Sequence, residues 1–215
     1  MKWFKFKKES RQPERRVTSS LDLLPLKELE MMVGTTSLLS TEPIDDAWAS
    51  TTGEEPMSWK SNFVVRMEML WFFLHLVNRL AFTAGGPQAR AYVQEAIAEN
   101  VVRRVITSSF DTHQAREGFD AKEWQRRVIS DAVEGLNEAE VDYCSCTDLF
   151  ADARAGPEAI FREDTIAGRL AGRIARQVGQ ENNIGLRLTI ETTAVKALTR
   201  SGLVDQVKKA CSVLS

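Results

Sequence analysis

The chain has 215 residues, 43% hydrophobic and 27% charged, with a formal net charge of −2. That length and balance suit one large globular domain able to bury its own core, argue against wholesale disorder, and give overall charge no pull toward nucleic acid. The charge is uneven, because residues 1–16 hold seven Lys/Arg against two Glu, which leaves −7 for the remainder.

Residues 1–16 read as a basic, aromatic, flexible tail, and residues 17–215 as a single helical domain. The lysines interrupt any apolar signal-peptide core. Within the tail, Lys2, Trp3, Phe4, Lys5, Phe6, Lys7 and Lys8 alternate cations with rings. Rings partition to a membrane interface and lysines are drawn to anionic headgroups, so this segment is a candidate tether.

A first helix is expected from Pro25, since proline suits the first helical position, with Leu26, Leu29, Met32 and Val33 on one face. The acidic segment near 41–56, rich in Pro, Thr and Gly, reads as a linker with at most one helical turn around Asp45–Ala49. A long helix follows from Met57 to Ala84. Gly85-Gly86-Pro87 ends it and opens the next, which runs to Phe110.

Asp120 and Asn137 each precede a Glu by three residues and sit between apolar residues. This pattern of capping box and hydrophobic staple predicts helices over 121–135 and 138–152. Further helices are expected over Pro157–Gly179 and Val204–Leu214. Residues 184–199 fit either a helix or, over 184–191, a minor strand. Helix is favoured because no other strong strand offers a partner. The expected fold class is all-α, a multi-helix bundle of roughly six to eight helices judged from these signals.

The apolar run Phe63–Phe82 contains Arg66, Glu68 and Arg79, and its charge-free part is too short to cross a bilayer. It reads as a buried helix with a polar stripe of Glu68, His75, Asn78 and Arg79. Those four form either a structural ion-pair network or the lining of a ligand pocket. In the Pro157–Gly179 segment, Arg162, Arg169, Arg173 and Arg176 share one arc at helical periodicity, a candidate face for anionic groups or partner proteins. Ala167, Ala171, Ala175, Gly168 and Gly172 make a smooth surface beside it, which permits close helix approach.

No catalytic, cofactor or metal-ligand pattern stands out, and none of the three is expected. Neither histidine follows a Glu at the spacing of helical carboxylate metal sites. Cys144-Ser145-Cys146 is tighter than zinc or redox motifs, and three cysteines make no disulfide framework, which points to a reducing compartment. No glycine-rich phosphate loop or nucleophile elbow occurs.

The function expected from these features is a non-enzymatic adaptor, chaperone-like or scaffold protein. It would bind another protein or itself, and through its tail an anionic membrane surface, in the cytoplasm and peripheral to the inner face of a membrane. The alternative is an enzyme or small-molecule sensor with a pocket around Glu68, His75 and Arg79. Nucleic acid is not an expected partner, because the body is acidic.

Overall fold

The computed structural model describes residues 24–53, 55–111, 121–150 and 162–212. The tail with its seven tether residues, the Asp120 cap and the region around Pro157 lie outside those residues. The fold is an all-α bundle. Among the described residues there is no strand, only an isolated parallel bridge between Asp148 and Thr165. No helix among them is long and apolar enough to cross a membrane.

Helix α1 (Leu24–Leu39) buries Leu26, Leu29, Val33 and Ser37 along one stripe. Ser37 and Ser40 donate their hydroxyls back to the carbonyls of Val33 and Thr36, at 2.8 and 2.7 Å. Helix α2 (Thr41–Thr52) follows directly. It corrects the expected linker. Pro43 falls in the first turn, where a missing N–H costs nothing, and Ile44, Ala47 and Trp48 recur at helical spacing and are buried. Gly53 ends α2 in the left-handed region at φ 69°. The chain then returns onto α2, with Met57 N–H donating to Asp45 at 2.7 Å and the Trp48 indole donating to the Glu55 carbonyl at 3.2 Å.

Helix α3 (Trp59–Asp111) breaks at Gly85 and Gly86 into two arms. Gly86 adopts φ 69°, ψ −160°, a conformation essentially reserved for glycine. The arms lie side by side, since Arg66 near one end donates to Ser109 near the other at 3.3 Å. The first arm is buried nearly all round, through Val65, Met69, Leu70, Phe72, Phe73, Leu74 and Val77. The second buries Val93, Ile97, Val101, Val105 and Ile106 on one stripe.

Helix α4 (Ala121–Cys144) is continuous through Asn137. This corrects the two helices expected there. Leu136 and Ala139 on either side are buried, so the apolar stripe carries the helix across the would-be cap. Helix α5 (Ile166–Gln177) begins at the Thr165 cap, whose hydroxyl accepts from Gly168 N–H at 3.1 Å. Its next free N–H groups, on Ile166 and Ala167, donate to the Asp148 and Leu149 carbonyls at 2.9 and 3.0 Å.

Helix α6 (Ile184–Ser201) settles the ambiguous segment as helix, capped by Asn183, whose side chain accepts from Leu186 N–H at 3.0 Å. Helix α7 (Leu203–Ser212) ends the described chain. Gln206 ties it to α1, donating to the Pro25 carbonyl at 2.9 Å and to Glu28 at 3.0 Å. The first arm of α3 thus lies at the centre of one shared core, reached by residues of all the other helices.

Candidate functional site

The first arm of α3 carries Glu68, His75, Asn78 and Arg79, all four expected to form a polar network or pocket. Glu68 is 0% exposed, His75 1% and Asn78 4%. A carboxylate so deep in the core demands a counter-charge. Arg173 of α5 supplies it through two parallel bonds: Nε to Oε2 at 2.7 Å and Nη2 to Oε1 at 3.0 Å. Gln177, one turn further along α5, also donates to Oε1, and Asp142 of α4 accepts from the third Arg173 nitrogen. The guanidinium lies 5.9 Å from the ring centroids of both Trp71 and Tyr143.

Burial pushes the Glu68 carboxyl upward from its ordinary range, and the Arg173 and Gln177 hydrogen bonds pull against that rise. Burial works to lower Arg173, but its bonds to Glu68 outweigh it and the guanidinium is held above its ordinary value. Tyr143 is driven well up by burial and by the nearby Glu68 charge. Its hydroxyl has no hydrogen-bond partner among the described residues.

His75 belongs to a second cluster. Its Nδ1 lies 2.7 Å from Glu140 Oε2, and Arg90, on the second arm of α3, donates to Glu140 Oε1 at 2.8 Å. One carboxylate of α4 therefore joins both arms of α3 across the glycine break. His75 Nε2 is buried without a partner among the described residues. A carboxylate can only accept, so in the neutral ring Nδ1 carries the proton. Cys144, one turn beyond Glu140, is exposed, and its sulfur, a His75 nitrogen and a Glu140 oxygen all lie within 4.8 Å of one another. Burial and then the Glu140 charge push the Cys144 thiol upward. These three are the described residues able to hold a metal ion.

Arg79 stands apart. It is exposed and donates to the Cys146 and Thr147 carbonyls at 3.0 and 3.2 Å, fastening the end of α4. The structure does not gather Glu68, His75 and Arg79 around one point. Each is engaged with a different part of α4, α5 or the segment between them.

The four arginines expected on one outward face also divide. Arg173 turns inward to Glu68. Arg162 precedes the Thr165 cap and pairs with Asp164 at 2.5 Å. Arg169 and Arg176 turn to Glu163, Arg169 donating to its carbonyl at 2.9 Å and Arg176 to its carboxylate at 2.5 Å. Arg187 of α6 reaches the same carboxylate at 3.5 Å. The small residues Ala167, Gly168, Ala171, Gly172 and Ala175 are buried, but at the glycines the close neighbour is not another helix: Gly168 lies against the Arg162 carbonyl and Gly172 against the Glu163 side chain, both from the segment before α5. All three cysteines are free thiols, and Cys146 donates to the Glu163 carbonyl at 3.7 Å.

Sequence reasoning missed Glu140, Asp142, Cys144 and Gln177 as partners of the central arm. The one local signal was Glu140 and Cys144 spaced a single turn apart on a helix, which puts both side chains on one face. No protein family, curated protein or solved structure matches this chain.

Proposed function

We propose that this chain is a non-enzymatic helical adaptor or scaffold that binds another protein through its outer helix surfaces. The observation that carries the reading is Ile184 and Leu188, one turn apart on α6 and 51% and 49% exposed. Two branched apolar side chains at that spacing are the anchors a helix presents to an apolar groove. A solvated helix face would favour polar residues there.

The buried charges support the same reading from the other side. Both Glu68 oxygens are occupied, and Arg79 is spent on the Cys146 and Thr147 carbonyls just beyond α4. An enzyme or sensor pocket would need those groups turned toward a ligand. The segment Lys2 to Lys8 would add reversible attraction to an anionic surface at the cytoplasmic face of a membrane, where each cation near the leaflet contributes about 1 kcal/mol.

The test is a quantitative pull-down comparing the parent with Ile184→Glu/Leu188→Glu. Both positions are half exposed, so the variant keeps the parent's melting temperature. Under this reading it loses the captured partner, and an unchanged partner set rejects it.

A further inference from the structure

We propose that His75 Nδ1, Glu140 Oε2 and Cys144 Sγ form a binding site for a borderline-soft divalent cation of the zinc type. The donors come from two helices: His75 from the first arm of α3, Glu140 and Cys144 from consecutive turns of α4. Their ligand atoms already lie within 4.8 Å of one another. Around tetrahedral zinc, with bonds of ~2.0–2.3 Å, neighbouring donor atoms stand about 3.3–3.7 Å apart. From that 4.8 Å spread the sulfur has to draw in to this range, and the 2.7 Å Nδ1 to Oε2 contact has to open.

The chemistry of the set selects the ion. One nitrogen, one oxygen and one sulfur suit zinc and its neighbours, whereas calcium and magnesium require oxygen shells. Thiolate and carboxylate bring two negative charges to the cation, with the Arg90 and Arg79 cations nearby. Arg90 holds the other Glu140 oxygen at 2.8 Å and so fixes the carboxylate from outside the ligand shell. His75 is locked by burial while Cys144 is exposed, so the cation enters from the Cys144 side. On binding, the thiol proton leaves to solvent, and the imidazole proton moves from Nδ1 to Nε2.

The test uses the full chain and the metal alone. Titration with Zn²⁺ in a calorimeter should saturate at one equivalent, and Co²⁺ should give a thiolate-to-metal charge-transfer band. Cys144→Ser, at an exposed position, should fold normally, lose the cobalt band and weaken zinc binding about 100-fold or more, since outer-shell losses alone reach that range. Cys211→Ser should bind as the parent does. Absence of saturable binding, or a Cys144→Ser variant that binds as tightly as the parent, would overturn the proposal.

Discussion

Arg173 of α5 holds Glu68 of α3 with two parallel hydrogen bonds, 2.7 and 3.0 Å long, around a carboxylate that is 0% exposed. The two residues stand 105 positions apart in sequence and join α3 to α5. Its importance to the fold differs from its net contribution to stability. Coulombic attraction in the core is offset by the cost of removing both charges from water.

Removing one partner exposes that asymmetry. Arg173→Met leaves Glu68 buried and unpaired and should cost about 3–5 kcal/mol in urea unfolding. Glu68→Met with Arg173→Met should recover most of that loss, because the core then holds neither charge. A single variant as stable as the parent would contradict this account of the pair.

Glu191 gives a pH dependence of definite sign. Burial raises its carboxyl from 4.5 to about 7, against the pull of Arg187, and one of its oxygens is buried without a partner. The folded state therefore holds this proton more tightly than the unfolded chain. Its stabilising contribution is complete below about pH 4.5 and is lost as pH rises through about 7. Glu191→Gln should flatten that fall, leaving the variant more stable than the parent at pH 8 but not at pH 4. Parallel pH profiles of melting temperature for the two chains would count against it.

Gly135 sits in mid-helix, where alanine would ordinarily gain about 1 kcal/mol. Here the Trp71 indole crosses it, donating to the Ala132 carbonyl at 3.2 Å, and a Cβ at Gly135 would overlap the ring. Gly135→Ala should therefore destabilise the chain by about 1–3 kcal/mol, the cost of overpacking. Thermal unfolding decides the sign, and a stabilised variant would show that the indole moves aside freely.

The tail makes a separate prediction. Deleting residues 1–16 should abolish co-sedimentation with vesicles containing anionic lipid and leave the unfolding midpoint of the body unchanged. Full vesicle binding by the shortened chain would remove the tether from the proposal.

Local signals marked the fold well where they were complete. Gly85-Gly86-Pro87 marked the break in α3, and the Ile184 segment, whose spacing fitted helix and strand alike, formed the helix that the lack of a partner strand favoured. The signals failed where packing overrode them. Asn137 resembles a cap, yet buried Leu136 and Ala139 carry α4 through it, and the acidic, proline-bearing start of α2 concealed Ile44, Ala47 and Trp48.

The site was legible only as an inventory. The stripe of Glu68, His75 and Asn78 was visible, because charges on an otherwise apolar helix must be buried with it. Their partners were not, since periodicity describes one helix at a time. Arg173 lies on α5 with Arg169 and Arg176, and only the packing of α5 against α3 turns it inward while Arg176 stays exposed.

In the proposed function the Glu68–Arg173 pair is internal to the fold and the outer face of α6 takes the partner. One capture experiment, run with Glu68→Met/Arg173→Met beside Ile184→Glu/Leu188→Glu, separates the two roles. An unaltered partner set is expected for the first variant and a lost partner for the second. Loss of the partner in the first, with retention in the second, would contradict the proposed function.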